Sequence, residues 1–146
     1  MDGQDEALDS PTSWVATHVR RYLASDGAKG HIWYGKPTLV LTHRGRTSGA
    51  LRRTGLIYGE DDGNFVVVGS NGGSDLHPQW YLNLLADPRA RIQVAADVHE
   101  VVAREAEGAE RDRLWDAMAA IFPQYKSYGK KTERRIPVVV LEPRQD

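Results

Sequence analysis

Cysteine is absent from all 146 residues. That removes disulfides, thiolate nucleophiles, cysteine-ligated zinc and iron–sulfur clusters together. Redox chemistry in such a chain needs a bound cofactor. No apolar run approaches the roughly 20 residues of a membrane-crossing helix. The stretch Met1 to Asp9 is acidic and polar, without the basic start and apolar core of a secretory leader. A cytoplasmic protein with no integral membrane segment is expected. An excess of either charge is also lacking: 19 Lys and Arg stand against 20 Asp and Glu, for a formal net charge of -1. Bulk attraction to nucleic acid or to an anionic membrane is therefore not expected, and an anion site would have to be local. The five histidines include no i, i+4 pair with carboxylates at ligand spacing, so no metal centre is expected. No Gly-Lys-Ser/Thr closes a Walker loop, and Val68 stands where a hydrolase nucleophile elbow requires glycine.

Hydrophobic residues make up 40% of the chain and charged residues 27%, the balance of an ordinary globular domain. Residues 1–10 are expected to be loose, and residues 11–146 to form one domain. Ser10-Pro11-Thr12-Ser13 is a helix-start signal. It is followed by Trp14, His18 and Tyr22 with Val15, Val19 and Leu23 beside them, a mostly apolar stripe that ends at Asp26-Gly27. Six β-rich runs follow, Thr38–His43, Leu51–Gly59, Asn64–Ser70, Arg91–Ala96, Val98–Ala106 and Ile136–Glu142. Glu60-Asp61-Asp62-Gly63 predicts a hairpin that pairs the second run with the third, and the step from Ala96 through Asp97 predicts a second reversal. Helices are predicted from Pro78 to Asp87, with Trp80, Tyr81, Leu84 and Leu85 as core contacts, and from Ala109 to Pro123. Short turns between strands disfavour a doubly wound parallel sheet. Six antiparallel strands hide their edges most simply by curling into a small barrel with helices outside.

Charge is distributed unevenly. Between Gly27 and Gly59 lie Lys29, Lys36, Arg44, Arg46, Arg52 and Arg53 without one Asp or Glu. Inside that window, Thr42-His43-Arg44-Gly45-Arg46-Thr47-Ser48-Gly49 joins glycines, hydroxyls and guanidinium groups in one turn, a composition suited to phosphate. A hairpin with a solvated basic tip would have the same composition. A second cluster, Val68-Gly69-Ser70-Asn71-Gly72-Gly73-Ser74-Asp75-Leu76-His77-Pro78, leaves a strand and enters a helix, so a ligand can approach its backbone. A third, Phe122-Pro123-Gln124-Tyr125-Lys126-Ser127-Tyr128, sets two phenols where they can cover a pocket mouth.

These clusters in this order resemble the deazaflavin (F420)-dependent nitroreductase family. The likeness spans about Gly35 to Pro143. It rests on Leu41-Thr42, Gly45-Arg46, Ser48-Gly49, Gly69-Ser70, Gly72-Gly73, His77-Pro78, Trp80-Tyr81-Leu82-Asn83-Leu84, Tyr125, Tyr128 and Ile136-Pro137. The resemblance implies a mainly β fold with flanking helices, a six-stranded antiparallel split β-barrel of the FMN-binding type. It also implies coenzyme F420 as cofactor, with FMN or haem on the same barrel as the lesser variant. By position, Arg46, Thr47, Ser48 and Arg52 would serve the phosphate and the glutamyl tail. Gly69, Ser70, Asn71, Gly72 and Asn83 would line the ring and linker, with Trp80 behind them.

The reaction implied is hydride transfer to a quinone, an activated alkene or a nitroaromatic. Ser70 and Tyr125 would donate hydrogen bonds to the acceptor, while Tyr125, Tyr128 and Phe122 would form its pocket. Thr47 and Asn71 stand where relatives often carry a base, and Gly129-Lys130-Lys131 makes a basic lid suited to acceptors with an anionic portion. The expected partners are a small-molecule hydride acceptor and a second copy of the chain in a homodimer, with membrane contact if the acceptor is a lipid quinone. A non-catalytic carrier of F420 or of an anionic lipophile is the competing function. An oligonucleotide-binding barrel is disfavoured by the net charge.

Overall fold

The structure, a computed structural model, describes residues 13–33 and 35–144. The expectations for residues 1–10, and for the residues before Ser13 that would cap the first helix, lie outside the described residues. Chain order is α1 (Ser13–Ala24), β1 (Ile32–Trp33), β2 (Lys36–Arg44), β3 (Leu51–Ile57), β4 (Gly59–Asp61), β5 (Asn64–Val68) and a 3-10 turn (Asn71–Gly73). It continues with α2 (Gln79–Ala86), β6 (Arg89–Val94), β7 (Asp97–Glu105), α3 (Gly108–Ile121), α4 (Gln124–Lys131) and β8 (Val138–Pro143).

All pairings are antiparallel, and the ladder runs β2-β6-β7-β8-β5-β4, with β3 on the other edge of β2. The sheet has eight strands rather than the expected six, for two local reasons. Ile32–Trp33 adds a short strand on the start of β2. The run expected as one strand from Leu51 to Gly59 breaks at Tyr58. Before the break it pairs with β2 over Thr38 to Arg44; after it, Gly59–Asp61 pairs with β5, so Glu60 and Asp61 of the predicted reversal belong to β4 and the turn narrows to Asp62-Gly63. The expected pairing of the second run with the third is thus confined to this short second part. The same change of partner curls the sheet, because one segment serves β2 and then β5. No ladder joins β3 to β5 among the described residues, and this gap is the split of a split barrel.

Alternation along the strands fills two cores. Leu39, Leu41, Phe65, Val67, Val139 and Leu141 point inward, where Trp80, Tyr81 and Leu84 of α2 join them. Val66, Val68, Val138 and Val140 point outward onto Leu114 and Met118 of α3 and Tyr125 of α4. Val40 meets Val19 and Tyr22 of α1. The Tyr22 hydroxyl accepts from the Ala95 amide at 2.6 Å and lies 3.0 Å from the Thr38 carbonyl, tying α1 to the sheet. Gly27, at φ +84, ends this region against the β6–β7 turn; a Cβ there would lie 2.3 Å from Ala95 Cα. One expected core contact is corrected, and one residue of the apolar stripe of α1 stays outside. Leu85 is 61% exposed, since α2 turns Trp80, Tyr81 and Leu84 inward. Trp14 is 58% exposed and stacks on Trp33 at 5.3 Å rather than entering the core. The β6–β7 reversal uses Ala95 at φ 55 and Ala96, so Asp97 already belongs to β7.

Candidate active site

The turn between β2 and β3 is built around Arg46. Its amide and its Nη1 donate to Asn83 Oδ1 at 3.1 and 2.7 Å, and its Nη2 donates to Gln79 Oε1 at 2.8 Å. Two donors on Oδ1 fix the orientation of the Asn83 amide, so Nδ2 donates to His43 Nδ1 at 3.1 Å. His43 and Asn83 are only 4% and 2% exposed, and each satisfies the other. Burial and, secondarily, the nearby Arg52 charge push the His43 imidazole down to about 4, so at neutral pH it is neutral with its proton on Nε2. Asn83, expected beside a cofactor ring, therefore holds Arg46 in place. The Arg46 Nε makes no hydrogen bond among the described residues.

The second cluster forms the loop after β5. Ser70 is right-handed helical and Asn71 follows at φ 47, the alternation that turns successive amides into one concavity. Asn71 Nδ2 closes the loop on the Leu76 carbonyl at 2.9 Å. Gly69 is required by packing rather than by ligand approach, since a Cβ would lie 2.7 Å from Pro137 Cγ. Arg134 clasps the loop from outside. It donates to the carbonyls of Gly69, Ser70 and Ser74 at 3.2, 2.8 and 2.7 Å, and to His77 Nδ1 at 3.1 Å.

The third cluster is helical, where the sequence suggested only a covering segment. Gln124–Lys131 forms α4, and Gly73, at φ +85, lets it approach: a Cβ there would lie 3.1 Å from Tyr128 Cα. Tyr125 is 5% exposed and packs edge-on to Phe122 at 5.0 Å. Burial, with Tyr128 nearby, raises its phenol above the ordinary 10, so it is a proton-bearing donor at neutral pH.

All three clusters open on one groove of about 1020 Å³, lying in the split between β3 and the end of β5. Arg46, Thr47, Ser48, Arg52, Ser70, Asn71, Gly72, Trp80, Asn83, Phe122, Tyr125 and Tyr128 all line it. Gly69 alone among the expected site residues does not, because it faces Pro137. Among the described residues, three arginines, at positions 46, 52 and 53, contribute and no carboxylate does. The rest of the basic window is elsewhere: Arg44 bonds the Gly49 carbonyl at 2.6 Å, and Lys29 lines a separate cavity of about 900 Å³ with Trp14, Arg21 and Trp33. His43, Arg53 and His77 are lining residues that the sequence did not single out as ligand contacts, and Arg134 acts one layer behind. Their signal was present in the Thr42-His43, His77-Pro78 and Arg134-Arg135-Ile136 stretches, but only folding shows what each side chain touches.

Comparison with known proteins gives this groove a family. The F420H(2)-dependent quinone reductase profile matches residues 14–143. A Mycobacterium tuberculosis (strain ATCC 25618 / H37Rv) protein that carries the F420H(2)-dependent quinone reductase designation is 42% identical over 108 residues, 74% of this chain and 91% of its own length. A solved F420-H2 dependent reductase (FDR-A) superimposes with a TM-score of 0.68 at 37% identity, covering 73% of this chain and 94% of that one. A second solved chain, described as a domain-swapped dimer, gives 0.70 at 36% identity over 91% of this chain and 100% of its own. The chain belongs to the F420H(2)-dependent quinone reductase family, oxidoreductases that work with coenzyme F420.

Proposed function

We propose that this groove binds reduced F420 along its arginine-lined wall and reduces a quinone beside Ser70 and Tyr125. The observation that carries the reading is the groove's lining, three arginines and no carboxylate, continuous with Ser70 and the two phenols. The residues present fit the group. Arg46 is braced by Asn83 and Gln79 with guanidinium donors to spare, and Arg52 stands beside it without an acidic neighbour in the lining. A phosphate and a carboxylate-rich tail need such charge-assisted donors. The amide concavity at Ser70 and Asn71 supplies further N–H donors for the ring or linker.

When bound, the reduced cofactor supplies the hydride. The chain's own residues do the rest. The groove holds donor and acceptor together, which replaces a chance encounter by a fixed approach. The Ser70 and Tyr125 hydroxyls donate hydrogen bonds to the acceptor oxygen on which negative charge arises, and the burial that keeps Tyr125 protonated preserves it as a donor. Tyr128 and Phe122 wall the acceptor side. Activated alkenes and nitroaromatics fit the same chemistry as secondary acceptors.

Two further features belong to this reading. The similarity to a domain-swapped dimer supports a homodimer. Exposed Trp14 and Ile32, with Arg21 and Lys29 around the second cavity, support contact of a cytoplasmic protein with an anionic membrane when the quinone is a lipid. No helix among the described residues is long and apolar enough to cross a membrane. The test is anaerobic mixing of the protein with reduced F420 and a quinone panel while cofactor absorbance is followed. Quinone-dependent oxidation of the cofactor is expected; binding without turnover would leave the carrier function instead.

A further inference from the structure

We propose that Arg134 is a positioning residue of the site, fixing the Ser70–His77 loop through three carbonyls and holding His77 as the neutral Nε2–H tautomer in the groove wall. Four bonds leave this one guanidinium for a single loop, to Gly69 O, Ser70 O, Ser74 O and His77 Nδ1. A guanidinium has donors and no acceptor, so at 3.1 Å the His77 Nδ1 must be the unprotonated nitrogen. The proton of the neutral ring then sits on Nε2. Lysine could supply the charge, but its ammonium cannot spread donors over carbonyls and a ring nitrogen in one plane as the guanidinium does.

The surroundings agree. His77 lines the groove, and its ring lies 4.8 Å from that of Tyr81. The charged and titratable groups around it are Arg134 from the segment before β8, Tyr81 of α2, and Glu105 of β7, which accepts the Tyr81 hydroxyl. Burial and the Arg134 charge lower the imidazole below the ordinary 6.5, while Glu105 opposes them; the net direction is downward. Burial disfavours the Arg134 charge, which the nearby Asp75 carboxylate, acceptor of the Thr132 hydroxyl at 2.7 Å, partly offsets. The assembly keeps a neutral N–H donor in the wall of a groove otherwise dominated by fixed positive charge. A positively charged imidazole there would bind any anion without regard to shape, whereas a neutral donor with a fixed tautomer favours a carbonyl or ring nitrogen placed opposite it.

This inference rests on the F420 reading only for which ligand benefits. The experiment compares the wild type with Arg134→Lys, which keeps the charge and a foldable segment, by nitrogen-15 NMR of His77 assigned with His77→Gln. Wild-type His77 is expected to show one protonated Nε2 and one bare Nδ1 at pH 7, and Arg134→Lys to show exchange between tautomers with an unchanged far-ultraviolet spectrum. F420 should bind about tenfold more weakly to Arg134→Lys, and the double variant with His77→Gln should lose less than the sum of the two single losses, because the part that Arg134 exerts through His77 can be lost only once. An unchanged His77 spectrum in Arg134→Lys, or additive losses of affinity, would overturn the proposal. Should F420 fail to bind the wild type, the proposed function falls, and the His77 resonances still decide the tautomer.

Discussion

Ser70 and Tyr125 line the same groove from different parts of the chain, one at the exit of β5 and one in the first turn of α4. Both are uncharged donors, so their contribution should be felt when charge develops on an acceptor rather than when the anionic cofactor binds. Steady-state kinetics with a quinone should show kcat lowered about 100-fold in Tyr125→Phe and about 10-fold in Ser70→Ala. F420 affinity measured by fluorescence should stay within about twofold of wild type in both. His43 gives a second prediction. Its folded pKa, about 4, lies below the ordinary 6.5, so between those values the unfolded chain takes up a proton that the folded one refuses. The stabilisation is complete above pH 6.5 and is lost as pH falls towards 4, amounting to about 3 kcal/mol over the window. Denaturant unfolding of His43→Gln should lack this slope while the wild type shows it.

At the level of elements, the loop and α4 depend on each other through Gly73. Alanine there would adopt φ +85 and push on the backbone of Tyr128, so Gly73→Ala should lose about 1–3 kcal/mol in thermal unfolding and raise the quinone KM more than the F420 dissociation constant. The legibility of the elements followed their side-chain periods. Consecutive valines in Asn64–Val68 and Val138–Pro143 announced strands buried on both faces, and the apolar spacing of Leu114, Met118 and Ile121 announced α3. Helix α4 was not legible: Gln124–Lys131 has a glycine and three lysines, and its helicity follows from Tyr125 docking under α3. The break at Tyr58 was equally hidden, because a strand that changes partner keeps its local pattern while its neighbours change.

For the whole molecule, the acid-free window pointed to a local anion site, and the fold brings three of its cations, Arg46, Arg52 and Arg53, to the groove. Arg52 and Arg53 came to one groove because β3 borders the split, whereas Arg44 was spent on its own turn and Lys29 went to the other side of α1. Asn83 reads in the sequence as a polar residue needing a partner, but neither the brace it forms nor the clasp made by Arg134 is legible there. The central claim is that the arginine-lined wall grips the charged end of the cofactor. The direct measurement is the dissociation constant of intact F420 against the same deazaflavin without its phosphate and glutamyl tail, each at low and high salt. Intact F420 should bind about 100-fold more tightly at low salt, with the gap closing as salt rises. Equal affinity of the two at low salt would contradict the account.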